Sequence, residues 1–181
     1  MQTSKSAVGL GHLAQGTARV YIYYRWALSL VLLGMYYSGA ASNIFGTDNP
    51  QLYQLTAIGY TLATSLTATV LLLSHRVVNN NLLLLTHFLL DLIALTLLMH
   101  SSGGLSSGLG LLMLITVAAS SLIFTNQLAL LTAALASILL LAEELISAYL
   151  LGDNERAIFP AGLLGFVLFL TALLFRILNQ R

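Results

Sequence analysis

The sequence predicts an all-α membrane protein, a bundle of six antiparallel transmembrane helices with both termini cytoplasmic. Three observations lead there. Charged residues are only 7% of the 181 and hydrophobic residues 58%, against roughly 25% charged in a soluble domain. Mean hydropathy is +0.90. The apolar residues fall into runs long enough to cross roughly 30 Å of hydrocarbon, which takes about 20 residues. Such a chain cannot cover a water-facing surface, but it can face lipid.

A polar tail, residues 1–18, precedes a six-helix unit over 19–181. The first run, about 24–42, ends in a loop through Asn43, Asp48 and Pro50. The second, about 52–73, ends at Ser74, His75 and Arg76, and Asn79, Asn80 and Asn81 make a polar turn. The third covers 82–99, broken by His100, Gly103 and Gly104. The fourth, about 105–124, turns at Thr125, Asn126 and Gln127. The fifth covers 128–151, and Gly152 to Arg156 form a loop. The sixth, 161–178, follows Pro160, a residue suited to a helix start. Runs such as Leu82 to Leu85 and Ile138 to Leu141 are continuously apolar, whereas a membrane strand alternates.

Orientation follows from the basic residues. Lys5, Arg19, Arg25, Arg76, Arg176 and Arg181 fall on one side of six crossings and Arg156 on the other, so the first side is cytoplasmic. Asp48, Asp153 and Glu155 lie in the outer loops. Tyr21, Tyr23, Tyr24 and Trp26 form an aromatic collar at the inner interface. Short loops make the helices close neighbours. Small residues that permit close approach are Gly59, Ala63 and Thr67 on the second helix, Ala129, Ala133 and Ser137 on the fifth, and Gly104 and Gly108 before the fourth. Gly103, Gly104 and Gly108 also allow a tight turn between the third and fourth helices.

Asp91 is the most informative residue. It sits mid-way along the third helix, where a charge costs at least about 2.5 to 3.5 kcal/mol. Such a group must be strongly hydrogen-bonded or neutralised. His87 lies one turn earlier on the same face. The plain structural reading pairs Asp91 with a hydroxyl such as Thr61 or Thr64. The functional reading makes Asp91 and His87 part of a signal-responsive polar centre. Glu143 and Glu144, in the outer half of the fifth helix, point about 100° apart. The expectation is that one snorkels to the interface while the other packs.

Several chemistries drop out. There are no cysteines, so thiolate metal sites and thiol catalysis are excluded. No H-E-x-x-H and no phosphate-binding glycine loop occur. Gly104-Leu105-Ser106-Ser107-Gly108 matches the G-x-S-x-G pattern, but that pattern needs a strand-to-helix elbow, and helices flank it here. No catalytic residue, metal or cofactor is assigned, and a net charge of +1 suggests no nucleic-acid partner.

The order of features resembles a known family. Tyr23-Tyr24-Arg25-Trp26 opens the first helix, Asp91-Leu92-Ile93 follows in the third, and Ser102-Gly103-Gly104-Leu105-Ser106-Ser107-Gly108-Leu109-Gly110 comes next. An Ala-rich fifth helix then runs from Ala133 to Glu143 and Glu144. This resembles the N-terminal six-helix membrane domain of PilS-type sensor histidine kinases, which control pilin genes of type IV pili. The resemblance covers about Arg19 to Arg181. It implies a signal-input domain in the bacterial inner membrane, not an enzyme by itself, in a longer protein with an ATP-dependent histidine kinase core. On that reading the chain is truncated, and the sixth helix, with no Gly or Pro after Phe175, is expected to continue into a dimeric coupling element. The implied partners are membrane lipids, pilin or another single-helix membrane protein, a second copy of the kinase, and a response regulator reached through the kinase core. Two other classes stand beside it: a small transporter or channel using Asp91 and His87 as a proton or cation relay, and an intramembrane hydrolase.

Overall fold

A computed structural model of the chain describes residues 3–39, 41, 43–73, 81–124, 126–150 and 158–179. Among these are six α-helices, two short 3-10 turns and no strand. The helices are α1 (Thr3–Tyr37), α2 (Pro50–Leu73), α3 (Asn81–Ser101), α4 (Leu112–Ile123), α5 (Asn126–Leu150) and α6 (Ile158–Asn179). Expected features at Ser74, His75 and Arg76, at Thr125, at Asp153, Glu155 and Arg156, and at Arg181 lie outside the described residues.

Three boundaries differ from expectation for physical reasons. Helix α1 begins at Thr3, so the segment read as a polar tail is helical. An apolar-run search detects only the part that suits hydrocarbon, and a helix does not stop where hydrocarbon does. The same helix ends at Tyr37 rather than near Ser42, because Gly39 takes a positive φ of 69°, a left-handed conformation that ends a helix. Helix α2 begins at Pro50, where Asn49 Oδ1 accepts the Leu52 amide at 3.0 Å as an N-cap, with proline at the first helical position.

The fourth crossing departs most. Its α-helical part has only 12 residues, about 18 Å at 1.5 Å per residue, which is too short for a bilayer. The 3-10 turns Gly104–Ser107 and Leu109–Leu111 lead into it. Gly103, Gly104 and Gly108, with φ of 84°, 70° and 74°, set those turns. Non-helical backbone at membrane depth is tolerated where protein covers it, and Gly104, Leu109 and Gly110 are buried.

Packing joins α5 to α6 and α1 to α2 most extensively, with α4 against α6 and α2 against α3. Two apolar clusters form the core. One gathers Leu92, Leu95, Leu98 and Met99 of α3 with Met113, Val117, Leu140 and Leu168. The other gathers Tyr21, Ile22, Leu84, Phe88 and Phe124. The outer surface is apolar too: Leu55, Leu62, Leu66, Leu163 and Phe166 are exposed, as a lipid-facing surface requires.

Ala129, Ala133 and Ser137 are buried, and Ser137 Oγ donates to Gly165 O of α6 at 3.1 Å. Ala63 is half-buried and Gly59 exposed. A Cβ on Gly59 would meet nothing within 4 Å, so no close helix contact within the chain forms there. The buried stripe of α2 runs instead through Tyr53, Ala57, Tyr60, Thr61, Thr64 and Ala68.

Candidate functional site

Asp91 is the eleventh of the 21 residues of α3, and its residue exposure is 1%. Helix periodicity points it inward between Phe88, Leu92 and Leu95. A carboxylate there needs partners, and it has three, from two neighbouring helices. Arg25 Nε of α1 lies 2.6 Å from Asp91 Oδ1. Tyr60 of α2 donates its hydroxyl to the same oxygen at 2.8 Å. Tyr21 of α1 donates its hydroxyl to Oδ2. The Thr61 and Thr64 hydroxyls, the partners expected from sequence, bond elsewhere. Thr61 donates to Ala57 O at 2.8 Å and Thr64 to Tyr60 O at 2.9 Å, because a short hydroxyl in a helix reaches its own preceding turn first.

Arg25 is the larger surprise. Placed by sequence at the cytoplasmic edge, it is only 2% exposed. Its guanidinium carbon sits 5.8 Å from the Tyr21 ring centroid and 5.9 Å from that of Tyr60, within cation–π range of both. The two tyrosines thus flank the cation with their rings and donate to the anion with their hydroxyls. The Nε contact is an ion pair without an aligned hydrogen bond, and buried Nη1 has no hydrogen-bond partner among the described residues. Tyr21 is braced in turn by Phe88, stacked at 4.3 Å and 5°. The centre lies between the two apolar clusters and ties α1, α2 and α3 together. The collar expected at the interface is therefore split: Tyr21 turns inward, while Tyr23 and Trp26 are exposed.

His87 belongs to a neighbouring contact. Its Nδ1 lies 2.6 Å from Leu83 O and its Nε2 lies 3.0 Å from Thr67 Oγ1. A carbonyl only accepts, so Nδ1 carries the hydrogen. Both ring nitrogens are engaged away from the carboxylate, so a His87–Asp91 relay has no direct link here.

Glu143 and Glu144 are both buried, at 5% and 1% exposure, so neither snorkels. Two neighbours enclose α5 here, and residues 100° apart meet different ones. Glu143 Oε1 lies 3.1 Å from His100 Nδ1 and accepts from Ser147 Oγ at 3.0 Å. Glu144 Oε1 accepts the Leu105 amide at 2.7 Å and so satisfies a 3-10 turn. Ser147 Oγ and Glu143 Oε1 both lie against the same ring nitrogen, His100 Nδ1, at 3.5 and 3.1 Å, so the imidazole does not hold hydroxyl and acid on opposite nitrogens as acyl transfer demands. Ser106 donates to Gly103 O at 2.7 Å, within its own turn.

Fold and centre together define a multi-pass helical membrane domain organised around a buried ion pair. Residues 11–181 match the family model described as the PilS-like transmembrane domain, and the chain belongs to that family. It is 28% identical over 167 residues to the sensor protein kinase PilS of Pseudomonas aeruginosa, an alignment covering 92% of this chain and 31% of that protein. The chain thus spans about a third of the length of that relative. No solved structure is detectably similar.

Proposed function

We propose that this chain is the membrane-embedded signal-input domain of a sensor histidine kinase of the type IV pilus regulatory kind, residing in the inner membrane. The observation that carries the reading is the family match across nearly the whole chain. Its termini lie in the cytoplasm and successive helices run antiparallel. Removing Arg25, which is neutralised inside the bundle, still leaves Lys5, Arg19, Arg76, Arg176 and Arg181 on one side against Arg156 on the other. The full protein works as a homodimer whose kinase core phosphorylates a response regulator. The signal arrives within the bilayer, as a single-helix protein such as pilin docking on the apolar surface.

The Arg25–Asp91 centre supplies the element such a signal can bias. A buried ion pair held by two phenols has a formed and a broken arrangement, and packed interiors switch between arrangements rather than deform gradually. Breaking it removes the ionic tie between α1 and α3, while the packing and hydroxyl contacts that join α1 to α2 remain. The test is kinase output from the full-length protein carrying Asp91→Asn or Asp91→Leu. Asn retains hydrogen bonding but no charge. If charge holds the switch, both variants fix output at one level whatever the pilin abundance. A Leu variant that responds like wild type sinks the mechanism. Proton or cation flux through vesicles of the purified domain, abolished by Asp91→Asn, would instead favour a transporter.

A further inference from the structure

Helices α1 and α4 enclose a cavity of about 290 Å³ beside the ionic centre. Val20, Tyr21 and Tyr24 form one wall, and Ile115, Ala118 and Leu122 the other. Apart from Thr17 on α1, the described lining is apolar or aromatic. The opening has a local cause. Ala118 and Ala119 stand side by side in the lining and are only half-buried, although α4 packs on α1. Their methyl groups do not fill the space between the longer side chains around them.

Val20, Ile115 and Leu122 are exposed, so the cavity opens sideways onto the outer apolar surface of a chain of a transmembrane family. It is therefore continuous with the lipid interface. Water enters a cavity only where polar partners hold it, and an empty apolar one forfeits the dispersion contacts of its lining. Hydrocarbon is the solvent at this surface and the species that restores those contacts. At about 290 Å³ the space sits at the lower limit of ligand pockets, roughly 300–1,000 Å³, which suits a single chain better than a bulky ring system. Tyr21 belongs to both places. It lines the cavity, its ring stacks on Phe88 at 4.3 Å, and its hydroxyl donates to Asp91 Oδ2.

We infer that this cavity is a binding site for one acyl chain of a membrane phospholipid, seated between α1 and α4 against Tyr21. The occupant packs on the same side chain whose hydroxyl Asp91 accepts, so occupancy favours the formed ion pair. The state of the surrounding lipid thereby reaches the ionic centre through one residue. The inference rests on the membrane embedding that the family match shows and not on the sensor reading, so it stands even if the protein regulates no kinase.

The experiment is photo-crosslinking of the protein in phosphatidylcholine nanodiscs doped with phosphatidylcholine that carries a diazirine in one acyl chain, mapped by peptide mass spectrometry. Label is expected on Tyr24, Ile115 and Leu122 severalfold above that on Leu62, Leu66 and Phe166, although the latter three are more exposed to bulk lipid than Ile115 or Leu122. Ala118→Phe fills the cavity from within and should bring the groove label down to that bulk level while Leu62 stays unchanged. Far-UV circular dichroism checks that the variant keeps its helices, and Ala118→Leu serves as a second filling variant should it lose them. In mixed micelles, added phosphatidylcholine should raise the wild-type unfolding midpoint saturably, because a ligand of the folded state stabilises it. The rise should be smaller in Tyr21→Phe, which keeps the ring without the hydroxyl. Groove label no stronger than that on Leu62 and Leu66 means bulk lipid only and overturns the site. So does groove label that persists in a folded filling variant. Disulfide-linked dimers of Leu122→Cys, in a chain with no other cysteine, would give the groove to a second copy and overturn the acyl occupant. An equal rise in Tyr21→Phe overturns the link to the ionic centre.

Discussion

Replacing Arg25 and Asp91 singly and together by leucine tests whether they form one energetic unit. Removing one partner of a buried pair costs about 3–5 kcal/mol, because the other charge is left uncompensated. In Arg25→Leu the carboxylate keeps its two phenol donors, Tyr21 and Tyr60. In Asp91→Leu the guanidinium keeps the Tyr21 and Tyr60 rings near 5.8 and 5.9 Å but loses its only described carboxylate neighbour, so this variant should be the less stable. The double variant buries no charge and leaves two phenol hydroxyls without acceptors, about 1–3 kcal/mol each. The singles together predict about 6–10 kcal/mol and the double about 2–6, so at the middle of both ranges the cycle should show a coupling of about 4 kcal/mol. Unfolding in mixed micelles titrated with denaturing detergent gives the energies. Trp26 is the only tryptophan; it sits beside Arg25, and its Nε1 donates to Ser65 Oγ of α2 at 3.1 Å. Its fluorescence therefore reports the α1–α2 contact locally. Energies that add within about 0.5 kcal/mol would mean independent sites, and the ionic centre would not be a unit.

Further outcomes follow from this geometry and from the distribution of basic residues. Tyr60→Phe removes one donor to a charged acceptor and should cost about 1.5–3 kcal/mol in that assay; an unchanged midpoint would show that the phenol is dispensable. Gly103→Ala places a Cβ at a φ of 84° and should lose about 1–2 kcal/mol. Gly165→Ala, whose Cβ would meet Ser137 Cβ at an ordinary 3.4 Å, should be neutral or gain up to about 1 kcal/mol, and the reverse order would refute the glycine argument. For topology, single cysteines at Asp48 and Asp153 should react with an impermeant thiol reagent added to intact cells, and one at Arg76 should not; labelling at Arg76 would invert the arrangement.

The helices were legible because lipid imposes length and apolarity, and both can be counted along a sequence. The ends were less so: Gly39 stops α1 through a backbone angle, and α1 extends back to Thr3 because a helix can outrun hydrocarbon. Asp91 stood out because a lone carboxylate in an apolar run is costly enough to demand a partner, whether structural or functional. Its true partner did not, because Arg25 lies one residue inside the expected start of the first helix, where an arginine also suits the interface. A charge count could have found it. Asp91 is an anion inside the bundle and wants a cation, and Arg25 and Arg176 were the two basic residues already within apolar runs, which narrows the choice to two. Tyr21 and Tyr60 carried no such signal, since an interfacial tyrosine and a buried one look alike in sequence. Glu143 and Glu144 misled for a related reason: 100° of separation excludes a shared partner but not two different ones.

The consequence is mechanical. Helix α3 carries Asp91 at its middle and His100, Ser101 and Ser102 at or just beyond its end. Asp91 grips α1 and α2, His100 meets Glu143 of α5, and Ser101 O receives the amides of Asp48 and Asn49. A rigid helix so held cannot shift at one end without straining a contact at the other. Ten residues separate Asp91 from Ser101, about 15 Å at 1.5 Å per residue. A displacement imposed at the loop therefore reaches the ion pair through α3 itself. A physical account of coupling requires an element that both sites bias, and α3 meets that requirement with polar contacts at both stations, where apolar packing alone would let it slide.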